Sequence, residues 1–69
     1  MKDNEFGKNL RELRTEKNLS QPDLGNIFSV SRQTISSWES GQREPSIDTL
    51  VNIAKFFNVT TDYLLGTED

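Results

Sequence analysis

Between Ser31 and Gly41 the sequence reads Ser-Arg-Gln-Thr-Ile-Ser-Ser-Trp-Glu-Ser-Gly, a stretch in which most side chains can give or take a hydrogen bond. Arg32 offers a planar fork of donors, and Gln33 sets a donor beside an acceptor. Those geometries pair in bidentate fashion with O6/N7 of guanine and with N6/N7 of adenine. Ser36 and Ser37 carry short hydroxyls that let a helix sit deep in a groove. At about 100° per residue on a helix, Gln33, Ser36, Ser37 and Ser40 share one side and Ile35 and Trp38 the other, with Arg32 and Thr34 on the flanks. A helix that is merely solvated usually draws on Glu and Lys, whereas serines lower helix propensity and bring no charge. These are residue types that read base edges. The plainer alternative is a serine-rich solvated helix with Arg32 and Gln33 as ordinary first-turn residues.

A helix can present such a face only if other elements hold it. Ser31 is placed to cap a helix over 32–40, which Gly41 ends by taking the left-handed conformation. Ahead of it, Ser20 with Asp23 three residues on marks a second start, and Pro22 is tolerated in a first turn whose amides have no intrahelical partner. Leu24, Ile27 and Phe28 make this helix apolar over about 21–28, leaving Ser29-Val30-Ser31 as a tight turn. Two short helices joined so tightly let the second stand proud of a bundle. Phe6, Leu10 and Leu13 predict an earlier helix from about Asp3 or Asn4 to Lys17, ended by Asn18. After the loop from Gly41 to Pro45, Ser46 caps a helix over 47–57 with Ile47, Leu50, Val51, Ala54 and Phe57 on its apolar stripe. Asn58 breaks it, and Thr60 opens a last helix, 61–65, that Gly66 closes. No segment alternates with period two over a strand length. The expectation is all-α: five helices, about 4–17, 21–28, 32–40, 47–57 and 61–65, in one compact domain spanning residues 1–69.

The composition narrows the function classes. With neither cysteine nor histidine among 69 residues, disulfides, thiolate metal sites and the commonest general base are all missing. No enzyme activity, metal, cofactor or small-molecule ligand is expected. Apolar runs are far shorter than the roughly 20 residues that span a bilayer, and the polar start lacks a signal-peptide pattern, so a cytoplasmic protein with no membrane partner is expected. The net charge of −3 runs against the basic footprint of nucleic-acid binders. Asp23, Asp48 and Asp62, however, fall in first turns, where the helix dipole favours anions. Lys8, Lys17, Arg32 and Arg43 remain as a modest positive set, enough for weak binding by a single copy.

Three segments, Leu19-Ser20-Gln21-Pro22-Asp23-Leu24, Val30 to Gly41, and Pro45-Ser46-Ile47-Asp48-Thr49-Leu50, together with Asp62-Tyr63-Leu64-Leu65-Gly66, resemble the lambda-repressor-like, Cro-type (XRE) helix-turn-helix family. The likeness runs from about Phe6 to Gly66. It implies a compact five-helix domain that binds double-stranded operator DNA and regulates transcription, as repressors of phage, mobile-element or small chromosomal type do. It further implies that Arg32, Gln33, Ser36 and Ser37 reach base edges. Gln21 would grip a phosphate with its side chain and the free first-turn amides around it. Ser31, Thr34, Gln42 and Arg43 would hold the DNA backbone, Thr34 alternatively touching a thymine methyl. Arg14 and Glu39 would form an internal ion pair. Solvated, independent charges are the plainer reading of Arg43 and of that pair. The sequence departs from the family pattern at Gly25, expected to cost about 0.5–1 kcal/mol of helix stability against Ala, and at Ser29, where glycine commonly makes the turn.

A nine-residue recognition helix is only about 13 Å long, so a homodimer on a two-fold symmetric operator is expected. Phe56, Tyr63 and Leu65 are the candidate pairing surface, unless Phe56 and Tyr63 merely cover the domain's own core. The rival function is a protein-interaction module or antitoxin-like partner on the same fold. Such surfaces favour aromatic anchors, which the 32–40 face lacks.

Overall fold

A computed structural model describes residues 5–67. Among them run five helices, α1 (Phe6–Glu16), α2 (Gln21–Phe28), α3 (Arg32–Ser40), α4 (Ile47–Phe57) and α5 (Thr61–Leu65), and no strand. The expected start of the first helix at Asp3 or Asn4 lies outside the described residues; α1 begins at Phe6 after Glu5, and Lys17 is its cap rather than its last residue.

Local chemistry punctuates the chain with unusual regularity. Ser20, Ser31, Ser46 and Thr60 each accept the backbone N–H three residues on, at 3.1, 3.1, 3.2 and 2.9 Å, satisfying one of the first-turn amides that a helix leaves without a partner. At the other end, every helix is followed by a left-handed residue: Asn18, Ser29, Gly41, Asn58 and Gly66. The next amide folds back onto the helix in each case, Leu19 to Arg14 O, Val30 to Gly25 O, Gln42 to Ser37 O, Val59 to Ala54 O and Thr67 to Asp62 O. This is the Schellman pattern, which satisfies orphan carbonyls. Ser29 thus takes the left-handed turn, with φ 58°, even though it is not glycine.

Gly25 is where the structure corrects the sequence reading. A Cβ there would lie 2.6 Å from the carbonyl oxygen of Val30, because the turn that follows α2 folds back directly over it. Glycine is what lets the turn close, so Ala is not the better residue. Gly7 does the same between helices, a Cβ on it meeting the Trp38 carbonyl oxygen at 2.7 Å; α1 therefore crosses the end of α3 backbone to backbone.

Phe6, Leu10, Leu13, Leu24, Ile35, Trp38, Leu50, Ile53, Ala54, Phe57 and Leu64 form one core, with Leu19, Phe28, Val30, Val59 and Leu65 packed around it. The stripe of α4 differs from the expected one. Ile47 is 78 % exposed, while Ile53 is fully buried and Val51 half-buried. The sequence period admits both sets, but the first residue of α4 lies beyond the packed part of the bundle. Ile27 likewise is exposed, leaving Leu24 as the buried anchor of α2. Asn9 ties α5 to α1 by donating from Nδ2 to the carbonyls of Tyr63 and Leu64, at 3.1 and 3.2 Å.

Candidate nucleic-acid interface

Ile35 and Trp38 are buried under α3, and this anchors the helix and fixes what it presents. Arg32, Gln33, Ser36 and Ser40 are exposed, with Thr34 and Ser37 half-buried. Two shallow concavities follow this surface. One is lined by Ser31, Arg32, Gln33 and Ser36, the other by Ser31, Gln33, Thr34, Ser37, Gln42 and Arg43. The second brings the loop after α3 alongside the helix, because Gln42 and Arg43 both donate their amides to the Ser37 carbonyl, at 2.9 and 3.2 Å.

Ser31 and Thr34 already serve the fold. The Ser31 hydroxyl accepts the Thr34 amide and lies 2.9 Å from the Thr34 hydroxyl. Whichever hydroxyl donates in that contact, the other keeps its hydrogen for an outside acceptor such as a phosphate oxygen.

Behind the face, Arg14 donates from Nε to Glu39 Oε2 at 2.6 Å and from Nη2 to Oε1 at 3.1 Å. Its Nη1 donates to the Leu19 carbonyl at 2.8 Å. The two side chains are only 11 % and 5 % exposed, so this is a shielded, bidentate pair that joins α1 and the α1–α2 turn to the end of α3. Gln21 Nε2 donates to the same Oε1 at 3.1 Å. Gln21, at the head of α2, is thereby held beside α3, with its second amide hydrogen and its carbonyl unassigned to Glu39. Asp23, in the same first turn, has its carboxyl held below the usual range, chiefly by the Ser20 backbone N–H at 2.9 Å and then by the Ser20 hydroxyl.

One residue at this surface escaped the sequence reading. Arg11 extends from α1 with its side chain 71 % exposed, Nε 4.0 Å from Glu39 Oε1, into a hollow shared with Gln21, Ser36, Glu39 and Ser40. Its position three before Arg14, on the adjoining face of the same helix, is the signal that could have found it. The expected pairing residues lie elsewhere. Phe56 is 39 % and Tyr63 42 % exposed, Leu65 is half-buried against the core, and the Phe56 ring stands edge-on to Phe28 and Phe57 with centroids 5.6 and 4.9 Å away.

A family profile described as helix-turn-helix matches residues 10–64. The chain belongs to the XRE-type, lambda-repressor-like helix-turn-helix family of DNA-binding transcriptional regulators. This helix-turn-helix chain is 49 % identical over 65 residues to the HTH-type transcriptional activator BcrR of Enterococcus faecalis, covering 94 % of itself and 32 % of BcrR. It spans about a third to a half of the length of the curated relatives it matches first. Among solved structures it is similar to the P22 c2 repressor in complex with a synthetic operator, with TM-score 0.82, 32 % identity, and coverage of 91 % of this chain and 96 % of that one. It is also similar to the restriction-modification controller C.AhdI of Aeromonas hydrophila, with TM-score 0.75, 35 % identity, and coverage of 87 % and 91 %. No helix is long and apolar enough to cross a membrane among the described residues.

Proposed function

We propose that the chain reads a short operator in double-stranded DNA, with α3 in the major groove, and regulates transcription from that site. The observation that carries this reading is the hydrogen-bonding surface of α3, on which exposed Arg32 and Gln33 stand beside serines, continuous with Gln42 and Arg43 on one flank and Gln21 on the other. In this reading Arg32, Gln33, Ser36 and Ser37 meet base edges. Gln21, Ser31, Thr34, Gln42 and Arg43 meet phosphates, which fix register without carrying sequence information. The Arg14–Glu39 pair holds the two sets in one frame. Residues 1–69 act as a single DNA-reading unit in the cytoplasm, where the DNA is, and perform no catalysis. Repression is the simplest outcome, since occupying a promoter needs no further contact.

The unit offers one nine-residue helix, α3, to the groove, whereas successive major grooves on one face of the duplex lie about 34 Å apart. One copy therefore reads one half-site, and the proposed operator is two-fold symmetric and bound by two copies through Phe56, Tyr63 and Leu65. Selection of bound duplexes from a random pool tests the reading. A short motif repeated with inverted symmetry is expected, and a pool that stays random after successive rounds would refute sequence reading.

A further inference from the structure

Glu39 is already satisfied: Arg14 takes both its oxygens and Gln21 one of them again, at 2.6, 3.1 and 3.1 Å. Arg11 adds only a loose contact, its Nε 4.0 Å from Oε1 and its side chain 71 % exposed. A guanidinium has five N–H donors, and this contact uses few of them. The charges sort in the same way. Arg14 cancels Glu39, and Gln21, Ser36 and Ser40, the other residues of the hollow, are neutral, so Arg11 is left as its net positive charge.

The hollow also lies on a particular side of α3. At about 100° per residue, Thr34 and Ser37 turn towards one flank of the exposed face and Ser36 and Glu39 towards the other. Arg43 stands beside the first pair and Arg11 beside the second. A helix in a major groove has a phosphate strand along each edge, about 12 Å apart. Two arginines bracketing the face suit two strands.

We propose that Arg11 is a second backbone cation of this domain, donating from α1 to a DNA phosphate on the strand opposite the one met by Arg43. The inference rests on α3 reading the major groove.

The test is the affinity of wild type, Arg11→Ala and Arg11→Lys for the selected operator and for a random duplex, measured across salt concentration, with thermal melts of each protein. Losing one phosphate contact should flatten the slope of log affinity against log salt by about 0.9, so that wild type loses about 3.5-fold more affinity than Arg11→Ala between about 50 and 200 mM salt. The change should be equal on both duplexes, absent in Arg11→Lys, and unaccompanied by a change in melting temperature. An unchanged slope with a lowered melting temperature would make Arg11 a structural partner of Glu39 and overturn the proposal. A loss confined to the selected operator would make it a base reader and overturn it equally. Gln33→Ala, run alongside, reports on the α3 face separately: lost base preference there, with an unchanged Arg11→Ala slope, removes Arg11 and leaves the reading of α3 standing.

Discussion

Glu39 gathers Arg14, Gln21 and Arg11 around one carboxylate, and this sets the energetics at the scale of single residues. Removing one member of a shielded ion pair strands the other, which typically costs about 3–5 kcal/mol, whereas replacing both by apolar groups of similar size is often neutral. Arg14→Met is thus expected to destabilise by about 3–5 kcal/mol in urea unfolding, and Arg14→Met with Glu39→Leu to recover much of that loss. A double variant destabilised by the sum of the Arg14→Met and Glu39→Leu losses would show that the pair is not coupled. Arg43 sits at the other energetic extreme, exposed and proposed to meet a phosphate. Arg43→Ala should leave stability within about 0.5 kcal/mol and weaken binding on all duplexes alike, flattening the salt slope by about one unit. An unchanged slope would remove Arg43 from the interface.

The helices and their turns were largely legible in the sequence, because single side chains write them. Ser20, Ser31, Ser46 and Thr60 cap where they were expected to, and Asn18, Gly41, Asn58 and Gly66 stop helices by the left-handed conformation they tolerate. What was not legible depends on contacts made across space. Nothing local shows that the Val30 carbonyl lies over Gly25, nor that Ile47 projects past the bundle while Ile53 fills it. Gly25→Ala should therefore destabilise by about 1–3 kcal/mol, as overpacking does, against a helix-propensity gain of about 0.5–1 kcal/mol; a raised melting temperature would show that the turn relaxes freely. Ser29→Gly should do the opposite and stabilise by up to about 1 kcal/mol, since a non-glycine left-handed residue is strained. The α2 cap also has a pH signature. Because the Asp23 carboxyl is held below its usual range, its contribution is fully present above the ordinary Asp value of about 3.9 and is lost as pH falls through the lower folded value. The stability difference between wild type and Asp23→Asn should stay flat from neutral pH to about pH 5 and shrink only below about 3.9; a difference that vanished nearer neutrality would place the titrating group elsewhere.

At the scale of the whole molecule, an acidic chain with net charge −3 becomes compatible with DNA because its charges are sorted. Asp23, Asp48 and Asp62 stand in first turns, Glu39 is neutralised internally, and Arg11, Arg32 and Arg43 stand around α3. The exposed face of α3 was legible in the sequence because Ile35 and Trp38 fix which side of the helix is hidden. Arg11 was not, because its hollow exists only where α1, α2 and α3 meet. If two copies pair through the Phe56 surface, Phe56→Glu should abolish cooperative binding to a two-fold site while leaving half-site affinity intact, as read by mobility shift; persistent cooperativity would move the pairing surface. The central claim, that side chains on α3 read bases, is tested most directly by the ratio of operator to random-duplex affinity in Gln33→Ala. That ratio should fall by the equivalent of about 1–3 kcal/mol, with preference relaxed at one base position and random-duplex affinity nearly unchanged; an equal loss on both duplexes would contradict it.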